Sequence, residues 1–238
     1  MIEHKEVLGA LSGVRDPELD EPVTDLGFVS HLEIEGDAVS VRLRLPTYFC
    51  APNFAYLMVA DAKAAVLSVP GVKRARVVLD DHYASGEING GVNEEHGFDG
   101  AFPGETEGPD LEELRTIFRR KSFVSRQEQL CRALLSEGRS PLELAAMRLG
   151  DMPPSQDLEK YLERRRELGL DVSENAPFVV DPDGNRVPEE AVVQHLRFAK
   201  TVRVSIEGNA GLCRGLLETR YGRERGAGKK PEREEAAV

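Results

Sequence analysis

Two short runs of alternating apolar and polar residues constrain the fold of this chain more than any other feature. Residues 28–34 and 39–45 each place their apolar side chains on one face of an extended strand, and Glu35-Gly36-Asp37 lies between them. Two such runs separated by a short glycine-containing turn predict a β-hairpin.

Helical patterns flank this hairpin. Residues 3–14 carry apolar side chains at helical spacing, and residues 52–68 are rich in alanine, leucine and methionine. Pro70 and Gly71 end the second helix, and the apolar run 72–79 predicts a third strand. The order helix, strand, strand, helix, strand predicts an α+β fold, with helices on one face of a three-stranded sheet. We assign residues 1–85 to this α-β-β-α-β domain.

A different composition follows. Residues 86–110 are rich in glycine and acidic side chains and predict a linker or a long surface loop. Ser-x-x-Glu capping boxes at Ser125 and Ser140 then predict helices over 126–137 and 141–149, with another over 155–168. We assign residues 111–222 to a mainly α-helical domain for client docking or dimerisation. Residues 223–238 predict a disordered, charged tail.

Charge and apolar content narrow the classes of partner. Residues 1–110 carry 20 acidic and 8 basic side chains, which disfavours nucleic acid and suits a protein or a metal site. The apolar runs fall short of the roughly 18 residues that span a bilayer. Acidic residues near the N-terminus differ from the basic start of a signal peptide. We therefore expect a cytoplasmic protein with no membrane contact.

The three cysteines, Cys50, Cys131 and Cys213, are an odd and sparse set in a chain with no export signal, so we expect reduced thiols. None has CxxC or CxH spacing, so the sequence contains no local zinc or iron–sulfur motif. Cys50 follows the second strand and precedes a helix, whose positive end favours a thiolate that binds a soft metal or acts as a nucleophile. Thr47 can cap this turn or donate to the sulfur. The alternative for Cys50 is a small packing residue under the helix.

Several motifs occur in a fixed order: Asp16-Pro17-Glu18-Leu19, then Asp25-Leu26-Gly27-Phe28-Val29, the hairpin, and Thr47 three residues before Cys50. Together they resemble the SufT- and PaaD-like family of metal–sulfur cluster assembly proteins. The resemblance covers residues 3–85 and implies a role in iron–sulfur cluster assembly or metalloprotein maturation, in some members beside diiron oxygenases. Ala51 and Pro46 depart from the family pattern, which often has proline after the cysteine and threonine before Thr47.

The resemblance implies that Cys50 is the functional residue. The surrounding pattern of the family is matched by Asp16, Glu18, Asp25 and Thr47. Asp16 and Asp25 also have a structural interpretation, because short acidic side chains commonly stabilise turns.

Two further thiols have separate interpretations. Cys213 follows the glycine-containing segment 208–212, which predicts a turn into a helix and makes Cys213 a second candidate for a metal or a reactive thiol. Whether Cys50 and Cys213 share a site stays open. Cys131 lies on the apolar side of a helix and is expected in a core.

No P-loop, GxGxxG, Ser-His-Asp or HExxH pattern is present, so we expect an accessory factor and not an enzyme. It would handle a transient iron ion or iron–sulfur cluster through Cys50, as a homo-oligomer that works with iron–sulfur assembly proteins and a client metalloprotein.

Two alternatives remain. One is a DNA-binding regulator, with a helix-turn-helix-like segment at 126–168 whose Arg164-Arg165-Arg166 meets phosphates and with the N-terminal domain as a metal or redox sensor. The nearly balanced charge of that segment speaks against it. The other is a structural adaptor in which every cysteine is packed in a core.

Overall fold

A computed structural model describes residues 2–94, 96–103 and 111–227, without the side chains of residues 223–227. The described residues form two compact units. The first contains residues 2–16, 21–103 and 210–227, and the second contains residues 17–20 and 111–209. Among the described residues, no helix combines the length and apolar character needed to cross a membrane.

The first unit has the predicted α+β arrangement. Its elements are α1 (His4–Leu11), β1 (Arg15–Asp16), β2 (Glu21–Pro22), β3 (Val29–Glu35), β4 (Ala38–Arg44), α2 (Pro52–Leu67), β5 (Arg74–Asp80), α3 (Ser85–Asn93) and α4 (Gly97–Ala101). A three-stranded sheet has the order β3-β4-β5. Strands β3 and β4 are antiparallel, and β4 and β5 are parallel because helix α2 connects them. A second, two-stranded sheet pairs β1 with β2.

The hairpin between β3 and β4 closes at Gly36 and Asp37. Gly36 has φ +64°, while Asp37 does not have a positive φ, which is the pattern of a type II′ turn. One face of the sheet is buried with the apolar side of α2, as predicted from the alternation. The buried side chains of β4, β5 and α2 include Val39, Val41, Leu43, Val77, Leu79, Leu57, Val59 and Val66.

The linker predicted for residues 86–110 is wrong as far as Ala101, because helices α3 and α4 occupy this segment. Asn89 donates to the carbonyl of Leu79 and accepts from its N–H, at 3.1 and 2.8 Å. Asn93 does the same at Val77, at 2.7 and 3.3 Å. The two asparagines therefore bond to backbone N–H and C=O groups of edge strand β5, as a fourth strand would. These hydrogen bonds to β5 offset the low helix propensity of the glycines. The rest of the predicted linker, residues 104–110, lies outside the described residues.

The predicted domain limit at residue 222 is also wrong. Helix α8 runs without interruption from Val192 to Ala227, and its residues from 210 onward belong to the first unit. There Leu217 and Tyr221 are buried, and the guanidinium of Arg44 lies 4.9 Å from the centre of the Tyr221 ring. The first unit is therefore completed by the second half of α8, from the far end of the chain. The predicted disordered tail is helical as far as residue 227, and residues 228–238 lie outside the described residues.

The second unit is mainly helical, as predicted, with α5 (Leu111–Ser136), α6 (Pro141–Ala146), a 3-10 turn (Leu149–Asp151), α7 (Gln156–Glu167) and the first half of α8. The capping box at Ser140 is present, since Ser140 accepts from the Glu143 N–H and Glu143 accepts from the Ser140 N–H. Ser125 does not begin a helix, because α5 already starts at Leu111.

A polar network lies inside the core of the second unit. Gln127 is fully buried and donates to the Tyr161 hydroxyl at 2.8 Å and the Val180 carbonyl at 3.0 Å. Its side-chain oxygen is 2.7 Å from Nε2 of His195. Around this network pack apolar residues of every helix of the unit, including Phe123, Leu144, Leu158 and Val192.

Two arginines of the triplet in the DNA-binding alternative are not available to phosphates. Arg164 is buried and bonds to Asp20 and Glu167, at 3.4 and 2.7 Å. Arg165 is buried and donates to the carbonyl of Pro177 and the hydroxyl of Tyr161. Arg164 and Arg165 are therefore occupied inside the unit, and Arg166 alone of the triplet is exposed to a phosphate.

Candidate functional site

Cys50 lies in the loop between the end of β4 and the start of α2. Pro52 is the first helical residue, where its missing N–H costs nothing, and Ala51 supplies no side-chain cap. The thiol is partly exposed. The first-turn N–H groups of this 16-residue helix lie just after Cys50, so its sulfur is at the positive end of the helix dipole.

The hydroxyl of Thr47 contacts the sulfur of Cys50. Oγ1 lies 3.3 Å from Sγ and accepts a hydrogen bond from the N–H of Phe49 at 3.3 Å. Either group can donate in the contact between hydroxyl and thiol. When the thiol is deprotonated, only the hydroxyl carries a hydrogen and it then donates to the sulfur. A donor of this kind stabilises the negative charge of a thiolate, and the donating role of Thr47 stays a prediction.

His82 fixes the backbone of Cys50. Its Nδ1 accepts the N–H of Ala84 at 3.2 Å, so the hydrogen is on Nε2, which donates to the carbonyl of Cys50 at 2.7 Å. Burial lowers the pKa of His82 below its ordinary value, the bond to Cys50 opposes this, and the charge of Arg220 adds to the lowering. His82 is therefore a neutral imidazole that holds the cysteine loop.

Aromatic side chains surround this loop on its exposed side. Tyr48, Phe49 and Tyr83 are all exposed, and their ring centres lie 5.0 to 6.3 Å apart. The N–H of Tyr83 donates to the carbonyl of Tyr48 at 3.1 Å, which ties the two loops that carry the rings. The thiol of Cys50 thus lies in a loop whose exposed surface is mostly aromatic.

The acidic residues implied by the family pattern are placed in turns and in the small sheet. Asp16 is buried in β1, opposite Glu21. Asp25 is exposed and accepts from the hydroxyl of Thr24 at 3.1 Å. Glu18 is exposed, belongs to the second unit and accepts from Asn209 at 3.2 Å. These positions support the structural interpretation of Asp16 and Asp25.

The other two cysteines differ from Cys50. Cys213 is partly exposed but lies inside α8, so the predicted turn before it is wrong, because Gly208 and Gly211 are both helical. It therefore lacks the helix-terminus setting on which its prediction relied. Cys131 is fully buried, as expected, and burial raises the pKa of its thiol. Within the part of the chain that the structure describes, no three His, Cys, Asp or Glu side chains form a group that could hold a metal ion.

Neither His82 nor Arg220 was predicted as part of the site. A signal for His82 was present, because it follows β5 as Cys50 follows β4, and β4 and β5 are parallel neighbours. The carboxyl ends of such strands meet at one edge of a sheet, where their following loops lie side by side. Arg220 carried no comparable signal, since it reaches the site from the far end of the chain.

Comparison with known proteins places the N-terminal region in a family. The profile of the iron–sulfur cluster assembly protein family matches residues 4–78. An uncharacterised protein of Methanocaldococcus jannaschii is 34% identical over 91 residues, which cover 37% of this chain and 93% of that protein. The iron–sulfur cluster carrier protein of Deinococcus radiodurans is 35% identical over 71 residues, which cover 30% of this chain and 20% of that protein. No solved structure matches the chain.

The matches agree with the motifs around Cys50 and with the α-β-β-α-β order of the first unit. Through this N-terminal region, the chain belongs to the iron–sulfur cluster assembly protein family.

Proposed function

We propose that this protein is a carrier in iron–sulfur cluster assembly, and not an enzyme, in which Cys50 binds an iron ion or a cluster as cargo. The family assignment supports the general role. The observation that carries the role of Cys50 is its partly exposed sulfur, 3.3 Å from a hydroxyl that can donate, at the start of a helix. Thiolates of this kind are the usual ligands of iron–sulfur clusters.

The ligand set around Cys50 favours transfer over permanent storage. A [2Fe–2S] or [4Fe–4S] cluster usually has four cysteine ligands. The described residues offer no group of three or more metal-binding side chains. The remaining ligands would come from another molecule: a second copy of this chain, an assembly protein or the client itself.

Transfer through Cys50 needs only ligand exchange. The bond from iron to the sulfur of Cys50 forms as a bond from iron to a ligand of the donor breaks, and the reverse exchange releases the cargo to the client. No atom changes its oxidation state in either step. A reduced thiolate is required throughout, which favours the cytoplasm as the compartment.

The client would be a metalloprotein, with a diiron oxygenase as one candidate class from the family resemblance. The exposed rings of Tyr48, Phe49 and Tyr83 support contact with a protein, because aromatic residues are enriched in protein interfaces.

Anaerobic reconstitution with ferrous iron and sulfide tests the proposal. The wild-type chain and the variants Cys50→Ala, Cys213→Ala and Cys131→Ala are compared by bound iron, bound sulfide and visible absorption, and then by cluster transfer to an apo-ferredoxin. We expect Cys50→Ala to lose most of the bound cargo and of the transfer.

Cys131→Ala is the matched control, because its thiol is buried and lies in the core of the second unit. It should retain cargo binding. Cys213→Ala decides whether the second partly exposed thiol contributes a ligand. Equal iron and sulfide binding by Cys50→Ala and the wild type would contradict the proposed role of Cys50.

A further inference from the structure

Arg220, in the last turns of α8, bridges two backbone carbonyls of the first unit. Its Nη1 donates to the carbonyl of Leu45 at 3.2 Å and its Nη2 to the carbonyl of Asp81 at 2.7 Å. Leu45 directly follows β4, and Asp81 directly follows β5. The guanidinium therefore joins the ends of the two parallel strands at the point where the chain leaves the sheet.

These strand ends are the beginnings of the two loops that build the candidate site. The loop after β4 carries Cys50, and the loop after β5 carries His82. The loops are already joined by the bond from His82 to the Cys50 carbonyl, at 2.7 Å, and by the N–H of Tyr83 to the carbonyl of Tyr48, at 3.1 Å. Asp81 adopts a left-handed conformation with φ +52°, which is uncommon for a residue other than glycine and must be held by its surroundings.

We propose that Arg220 is a positioning residue for Cys50: its bridge between Leu45 and Asp81 sets the spacing of the two loops and so the placement of the thiol. This inference deepens the proposed function, on which its biological meaning rests. It assigns part of the site to a residue far outside the matched family region of residues 4–78.

The chemistry of arginine suits this position. A planar guanidinium presents donors in a fixed fork, so one side chain can satisfy the carbonyls of Leu45 and Asp81 at once. An ammonium group on a flexible stem does this less well.

Alkylation of the full chain by iodoacetamide, resolved by peptide mass spectrometry, measures the rate at Cys50 and Cys213 separately. The wild type is compared with Arg220→Met and with the control Arg214→Met, an arginine of the same half of α8 that pairs instead with Glu21. Rates are taken from about pH 6.5 to about pH 10, on both sides of the ordinary cysteine pKa. The plateau at high pH then reports access to the sulfur and not the thiolate fraction.

We expect Arg220→Met to raise the plateau rate at Cys50 by about fivefold or more, as the loss of one net hydrogen bond would allow. The rate at Cys213 should not change in Arg220→Met. Arg214→Met should leave the Cys50 rate at its wild-type value.

Equal Cys50 rates in Arg220→Met and Arg214→Met would overturn the proposal, and so would an equal rise at Cys50 and Cys213, which indicates general loosening of the unit. If Arg220→Met does not fold, Arg220→Lys decides, because lysine keeps the charge and one bond. An intermediate Cys50 rate then supports the bridge and a wild-type rate rejects it. Thiol access is measured without any cargo, so failure of this proposal is distinguishable from failure of the reconstitution experiment.

Discussion

His82 in the first unit and His195 in the second both have a pKa that burial holds below the ordinary value, and both donate from Nε2. His195 bonds to Gln127, whose other partners are inside a closed core. His82 bonds to the carbonyl of a partly exposed cysteine beside three exposed aromatic rings. A lowered histidine pKa therefore accompanies a buried core network in the second unit and a candidate site in the first. The two cases differ because His82 has an accessible neighbour, Cys50.

The largest effect is expected from Gln127→Ala, which leaves buried partners of the core network without their hydrogen bonds. Each buried polar group left unsatisfied costs about 1–3 kcal/mol, so we expect a loss of about 3 kcal/mol or more in the free energy of unfolding. Urea unfolding followed by circular dichroism measures it. Gln129→Ala, which removes one partly exposed contact to Arg126, is the control and should cost less than about 0.5 kcal/mol. A loss within about 1 kcal/mol of that control would contradict a stabilising role for the network.

A smaller effect is expected from pH. A histidine whose pKa is lower in the folded state binds fewer protons there than in the unfolded chain, so stability is full above the unfolded pKa of ~6.5 and falls as the pH drops toward the folded pKa. In that window each histidine lowers the free energy of unfolding by at most ~1.4 kcal/mol per pH unit.

Urea unfolding at about pH 7.5 and about pH 5.5 tests this, on either side of the ordinary histidine pKa. His195→Gln should reduce the pH dependence of the second unit, and His82→Gln that of the first. If each variant keeps the wild-type slope in its own unit, the histidines do not control this dependence.

Thr47→Val is expected to slow the alkylation of Cys50 and to change the free energy of unfolding little. The variant keeps the shape of the side chain but loses the hydroxyl that lies 3.3 Å from the sulfur of Cys50. We expect alkylation of Cys50 near pH 7 to slow by about fivefold, the equivalent of one hydrogen bond. Thr47→Ser retains the hydroxyl and should keep the wild-type rate. An equal rate in both variants would show that the hydroxyl does not act on the sulfur.

The smallest effect on stability is expected from Phe49→Ala. This side chain is 76% exposed, so its removal should change the free energy of unfolding by less than about 0.5 kcal/mol. Cluster transfer to a protein acceptor should slow if the ring contacts the partner, while cargo binding stays constant. A large loss of stability would instead show that Phe49 stabilises the fold, as the Gln127 network is expected to do.

The period of the apolar pattern made much of the first unit predictable. The alternation of residues 28–34 and 39–45, with Gly36 between them, determines a hairpin with one buried face, and α2 and β5 followed from patterns of the same local kind. Glycine-rich α3 was missed because propensity argues against a helix there, while two asparagine side chains bonded to β5 hold it in place.

The sequence by itself determined that Cys50 lies between a strand and a helix and that Thr47 lies three residues before it, since both depend on neighbours in the chain. Only the tertiary structure decided what surrounds the thiol. Arg220 reaches Leu45 and Asp81 across 175 and 139 residues, and His82 reaches Cys50 across 32. Such contacts depend on how strands and helices pack, which a local pattern of residue types does not record. Cys50 is thus marked by its local sequence, and its setting is made by distant parts of the chain.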